Sequence, residues 1–403
     1  MTNAAVVKDF TNPFDDWRSI GVAIFVALVG YTVMVSVPVL STALVQKVGF
    51  TEEQVGRIWG ADLGGLSLGA IITAMLVARM NRRYLVFIGV GLSLVANALC
   101  LFFTDYDVVL ALRVLAGTGS GIFTAVAVVT LGGTTNPTTA YNLELIGFAF
   151  STALELNYLP QLSMNEIYVF FMVLSALCAV LVFWIPARPL NKEQLAEQAK
   201  HQTVHGNWRV PKVVPLLCLI AVCFTYINIG GYFTYIELAA LADGVSQEWS
   251  GSVLTWSSFL GIVGCVMAYV CTRFGLFKPL FWSLMTMAVI VAMLALGIND
   301  MNLAVSLFGF MTLWTFIDVY QSAMVAHMDR SGSLVALLPS VQGFGQFVGP
   351  NIAASIVGAG LGYPIMFVIS GSMSLVALAI YFGVSLYMNR REPDMELAEA
   401  NQE

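Results

Sequence analysis

Apolar residues in this chain come in long runs rather than in alternation. Twelve stretches stand out: 20–45, 55–78, 84–104, 107–131, 141–162, 166–187, 213–240, 250–272, 278–298, 302–326, 334–359 and 364–388. A run of roughly 20 apolar residues is the length a helix needs to cross the hydrocarbon core of a bilayer. Only helices can satisfy their own backbone hydrogen bonds there as single segments. The pattern therefore predicts an all-α polytopic membrane protein with 12 transmembrane helices. One connection breaks the rhythm. Arg188 to Lys212 is polar, charged and bracketed by prolines. It reads as a linker, with an amphipathic helix around Lys192–Lys200, that joins a six-helix bundle over 20–187 to another over 213–388. Residues 1–19 and 389–403 are then tails.

Composition agrees and excludes other classes. Only 10% of the residues are charged and 58% are hydrophobic, against about 25% charged in soluble domains. No basic patch exceeds two or three residues, so nucleic acid is not an expected partner. The six cysteines sit in apolar runs without a C-x-x-C pair, and they read as small buried hydrophobes rather than metal ligands or disulfides. His201 and His205, four residues apart, fall in the polar linker and are expected to be solvated rather than metal-bound. No H-E-x-x-H or G-x-x-x-x-G-K-[ST] motif occurs, so neither a metal, a cofactor nor an enzymatic activity is expected. The first 19 residues lack the basic-then-apolar order of a cleaved signal.

Loop charge sets an orientation. Fifteen Lys and Arg fall on the side of the termini and the linker, two (Lys47 and Arg57) on the other, and Arg113 lies within a helix. The positive-inside rule then places both termini in the cytoplasm, with a bacterial cytoplasmic (inner) membrane as the expected location.

The two halves echo each other at a fixed offset. Gly49-Phe-Thr-Glu-Glu-Gln-Val-Gly56 opens the second stretch and Gly244-Val-Ser-Gln-Glu-Trp-Ser-Gly251 the eighth, 195 residues on; Gly69 and Gly264, Arg83 and Lys278, Leu85 and Leu280 follow at the same spacing. At an offset of 196, Gly147-Phe148 meets Gly343-Phe344. Glycines at Gly60, Gly64, Gly65 and Gly69, at Gly117, Gly119 and Gly121, and at Gly343, Gly345 and Gly349 permit close helix approach, and Pro160 and Pro350 are expected to bend or break their helices.

Two local motifs add a resemblance. Ala74-Met-Leu-Val-Ala78-Arg79-Met-Asn81-Arg82-Arg83 resembles the G-x-L-A-D-R-x-G-R-[RK] loop of the major facilitator superfamily, with Ala78 in place of the acid and Asn81 in place of the second glycine. Arg113-Val-Leu-Ala-Gly117-Thr-Gly119 is similar to that family's R-x-x-x-G-x-G motif in helix 4. The resemblance covers the whole chain at the level of the fold. It implies two pseudo-symmetric six-helix bundles working by alternating access, one chain holding a complete pathway, and Arg79, Arg82 and Arg83 as a conformational latch.

Charges inside a bilayer are costly and read as functional. Asp62, Arg113 and Glu155 are expected at a common level in the amino-terminal half, with Arg113 lining the cavity and paired to Asp62 or Glu155. Glu144 and Glu237 lie near helix ends and read as interfacial. Asp318 is deep in the tenth stretch with no basic neighbour in sequence, which makes it the first candidate for proton coupling, ahead of Glu155 and Asp62. Tyr31, Tyr232, Trp256, Trp314, Gln321, Gln342 and Gln346 join Arg113 as candidates to line a cavity for a polar or ring-bearing solute. The expected function is a secondary active transporter, working as a monomer in the lipid bilayer, that moves a small organic solute with protons. A lipid or lysolipid flippase of the same fold and a multidrug exporter are the alternatives.

Overall fold

The computed structural model describes residues 12–77, 79–188, 211, 213–328, 334 and 337–400. Most of the expected linker, with His201 and His205, and also Ala78 lie outside these. The described chain is helical, and its long helices match the twelve stretches. They are α1 (Trp17–Ala43), α2 (Glu52–Leu76), α3 (Arg82–Cys100), α4 (Tyr106–Gly132), α5 (Pro137–Tyr158), α6 (Met164–Leu181), α7 (Val213–Ala242), α8 (Gln247–Ser258 and Leu260–Cys271), α9 (Phe277–Ala292), α10 (Asp300–Met328), α11 (Leu338–Gly358) and α12 (Gly362–Ala400).

Several helices begin before their apolar run because a polar turn caps them. Thr51 and Gln54 form a reciprocal capping box at the start of α2, Ser163 and Glu166 do so for α6, and Asp105 accepts from two amides of α4. Such residues satisfy the free amides of a first turn and are invisible to hydropathy. At the other end, α12 continues as helix to Ala400 although its apolar run stops at 388, because helix formation there does not need apolar residues.

Among the described residues ten helices are long and apolar enough to cross a membrane by length and composition alone, and α5 and α11 are not among them. Both carry polar residues along their length, Asn142, Glu144, Glu155 and Asn157 in one and Gln342, Gln346, Asn351 and Ser355 in the other. These two are also the pair related by the offset of 196.

The repeat is built into the backbone. Gly49 and Gly244 both adopt left-handed φ, 85° and 89°, a conformation that favours glycine. Two residues on, Thr51 and Ser246 cap α2 and α8. Deeper, Gly69 of α2 faces the Thr118 carbonyl of α4, and Gly264 of α8 faces the Thr312 carbonyl of α10. Each half thus packs its second helix closely onto its fourth at a glycine, backbone to backbone in the first half and with the Thr315 hydroxyl also in the contact in the second.

Between the halves, α2 packs along α11, α5 against α8 and α1 against α7. Gly56 of α2 lies on the Tyr235 hydroxyl, Gly60 on Asn351, Gly64 on Phe347, and Ser67 on Gly343. Tyr235 donates to the Glu52 carbonyl at 2.8 Å, Arg57 to Ser355 at 3.4 Å and Ser258 to the Ala149 carbonyl at 3.3 Å. Apart from Ser67 on Gly343, which lies just past the middle of α2, these contacts run from mid-helix to the end holding the start of α2 and the close of α11. Toward the other end the halves part, and Tyr141, Asn142 and Leu143, three successive residues of α5, are all exposed. The molecule is closed at the α1–α2 turn side and open at the α2–α3 turn side.

Candidate functional site

Where the halves part, a carboxyl from each comes near the same tyrosine. Asp318, half-buried on α10, accepts from the Tyr226 hydroxyl of α7 at 2.8 Å and from the Gln342 amide of α11 at 2.6 Å, both on Oδ1. The Tyr226 hydroxyl also lies near Trp314. Across the gap stands Tyr31 of α1, close enough for electrostatic contact with both Asp318 and Glu144. The Tyr31 ring meets Phe148 of α5 edge-on at 6.0 Å. Tyr31, Glu144, Phe148, Asp318 and Gln342 are all partly exposed; Tyr31 and Phe148 sit near mid-helix, and the other three lie toward the open end. They line the open face of a central cavity.

Of the other expected cavity residues, several lie elsewhere. Arg113 is enclosed within the amino-terminal bundle, 0% exposed. Its guanidinium contacts Asp62 at 3.4 Å, donates to Asn97 at 2.7 Å and to the Cys100 sulfur at 3.6 Å, and lies 5.3 Å from the Tyr168 ring. Of its two expected partners it takes Asp62. Glu155 instead accepts from Ser36 at 2.8 Å, with Thr32 as a second hydroxyl contact. Thr32, Asp62 and Arg113 share a small polar cavity of about 20 Å³ inside this bundle, room for about one water. Glycines explain the inward turn of Arg113: α2 and α4 touch backbone to backbone one turn away, which leaves the side chain only the interior between α3 and α6.

In the carboxy-terminal half, Tyr232 is 0% exposed, bonded to Ser306 at 2.8 Å and stacked 4.1 Å from Phe310. Gln321 is buried and donates to Thr225 at 2.7 Å. Gln346 is buried where α11 crosses Gly230 of α7. These three form the inside of the bundle rather than the cavity wall. Trp256 is exposed on α8, and its ring is 6.0 Å from Phe259. Among the arginines of the α2–α3 turn, Arg79 is exposed, Arg82 lies 4.7 Å over the Phe14 ring with its backbone amide on the Ala187 carbonyl, and Arg83 donates to the Ile185 carbonyl at 2.8 Å. The contacts of Arg82 and Arg83 stay within the amino-terminal half.

Sequence reasoning set two acids aside that the structure brings in. Glu144 faces the cavity; it lies eleven residues before Glu155, three helical turns, so one face of α5 carries both, a signal that was readable. Glu237 is 1% exposed, within a stretch of α7 buried at every position from Thr225 to Ala240. Distance from a helix end gave no sign of that, because α7 is surrounded on every flank by α1, α2, α8, α10, α11 and α12.

Solved structures share this architecture. The nucleoside transporter NupG, in a single-residue variant, superposes with a TM-score of 0.72 over 91% of this chain and 98% of its own, at 11% identity. A D-xylose-proton symporter gives 0.70 over 90% and 96% at 13% identity. The human organic anion transporter MFSD10 gives 0.66 over 90% and 99%, also at 13%. No curated protein matches in sequence. The model of the Major Facilitator Superfamily matches residues 22–350. With the repeat, the twelve helices and the two bundles that part around Asp318 and Tyr31, this polytopic membrane protein belongs to the major facilitator superfamily of transporters.

Proposed function

We propose that the chain is a proton-coupled secondary active transporter for a small organic solute, working by alternating access, with Asp318 as the group that takes up and gives back the proton. The observation that carries this reading is the placement of Asp318. It is half-buried at the central cavity, held by donors from two other helices of its half, and faced by a tyrosine from the opposite half. A carboxyl so placed changes its water and its neighbours whenever the halves rock, so its charge biases which side is open. Tyr31, Tyr226, Trp314 and Gln342 are assigned to solute contact, Glu155 and Asp62 to secondary proton sites, and Arg79, Arg82 and Arg83 to a latch that engages when the cavity closes on their side. The setting is a bacterial cytoplasmic membrane, with termini and linker in the cytoplasm and one chain sufficient for transport.

The test begins with ligand-induced thermal stabilisation of the purified protein across acids, sugars, drugs and lipids, which yields a solute. In proteoliposomes with that solute, Asp318→Asn keeps counterflow exchange and loses accumulation driven by a pH gradient. Wild-type accumulation by this variant removes Asp318 as the coupling group.

A further inference from the structure

Glu237 takes no part in the cavity just described, yet it is the carboxyl most completely enclosed between the halves. It lies on α7 near the closed end, where α7 packs on α1. It is 1% exposed, and neither carboxyl oxygen has a hydrogen-bond partner. The Thr42 hydroxyl of α1 lies within reach of the carboxyl, but its hydrogen-bonding contact is the Pro38 carbonyl at 3.3 Å, which leaves the acid at most this one weak donor. Pro38 sits inside α1, one turn before Thr42.

The surroundings offer no counter-ion. At this end α2 brings Glu52, Glu53 and Arg57 and α12 brings Tyr363, all of which gather around the Tyr235 hydroxyl. Arg57 is taken by Glu53 at 2.8 Å. Lys47, beyond α1, donates to the carbonyls of Pro160 and Leu162. Asp243 accepts the Ile298 amide at 2.7 Å, while Glu248 of α8 and Asp300 of α10 are exposed. The closed-end turns of α1 and α11 contain no titratable side chain, and no charged group acts on Glu237.

An ionised carboxylate enclosed without counter-ion, and with at most one hydroxyl beside it, is penalised by several kcal/mol; a neutral acid in the same place forgoes only ordinary hydrogen bonds. The interface that encloses Glu237 is one that alternating access must open. We propose that Glu237 is a proton-binding site of this gate: the α1–α7 seam closes with Glu237 carrying a proton, and opening to water lets that proton leave. The site is separate from Asp318, on the other side of the mid-plane. It makes closure of this end dependent on pH even with no solute present.

The test measures the gate itself. Nitroxide labels on Asn165→Cys and Gln247→Cys, exposed positions at the closed end of opposite halves, report its width by pulsed electron resonance in lipid nanodiscs. The six native cysteines are replaced by serine or alanine in this background. With Glu237 intact, raising the pH should move the distance distribution from short to long. Glu237→Gln, neutral at every pH, should stay short across the range, with the pH response lost. A parent that keeps one distribution at all pH values overturns the proposal without recourse to any variant. So does a Glu237→Gln protein that widens as the parent does. Neither outcome bears on Asp318, which is read by accumulation of solute.

Discussion

Arg113 shows how far a single residue could be read in advance. That it would be costly in a membrane, and that Asp62 would neutralise it, followed from composition and depth. That it would face inward followed from nothing in its own neighbourhood of sequence, because the deciding contacts, Asn97 and Cys100 on α3 and Tyr168 on α6, come from helices that depth alone does not place. The burial changes the expected phenotype. Arg113→Ala leaves Asp62 as an uncompensated buried charge, so it should lower stability by about 3–5 kcal/mol, read as a fall in melting temperature of the detergent-solubilised protein. Adding Asp62→Asn should recover much of the loss. A melting curve unchanged by Arg113→Ala would mean that the ion pair is not a structural anchor. Glu144 and Glu237 make the complementary point: both were visible as acids, and only packing decides that one meets the cavity and the other a closed seam.

The helices were legible wherever apolar length defined them, and less so where chemistry did. Runs marked ten spans plainly, but α5 and α11 emerged from the same pattern as its most polar members, and their polarity is what equips them to meet the other half. Capped starts were missed by a few residues because Thr51, Ser163 and their glutamine or glutamate partners carry no hydropathy signal. The break of α8 at Phe259 has no sequence counterpart that we can identify. Glycines were read as close-approach sites without knowing which of them are. A methyl at Gly117 or Gly121 would fall on the backbone carbonyls of Asp62 and Leu66, whereas at Gly91 and Gly251 nothing lies within 4 Å. Gly117→Ala and Gly121→Ala should therefore each lower stability by about 1–3 kcal/mol, the usual range for overpacking. Gly91→Ala and Gly251→Ala should be neutral or stabilising by up to about 1 kcal/mol, since alanine is the better helix former. Thermal melts of the four variants separate the two pairs; equal effects would contradict the α2–α4 contact.

At the scale of the whole molecule, the offset of 195 residues was the most informative thing in the sequence, because it carried over into matching left-handed turns, matching caps and matching helix crossings. Sidedness is the expectation that most needs a direct measurement. Reporter fusions after Asn299 and at Glu403 should report opposite faces, with Glu403 in the cytoplasm; Glu403 on the far side would invert the assignment and make the open end the outer one. The seam between the halves has a consequence for speed. Among the described residues three hydrogen bonds cross it, each worth roughly 0.5–1.5 kcal/mol net, and the rest is packing, glycine against side chain along α2 and α11 and side chain against side chain elsewhere, as where Phe150 meets Phe259 edge-on at 5.3 Å. Inverting a 1:99 preference between two states to 99:1 takes about 5.5 kcal/mol of differential binding, the same order as the net worth of these three bonds together. A carrier shut by a long row of ion pairs would wait for each to break. Among the described residues no ion pair crosses this one.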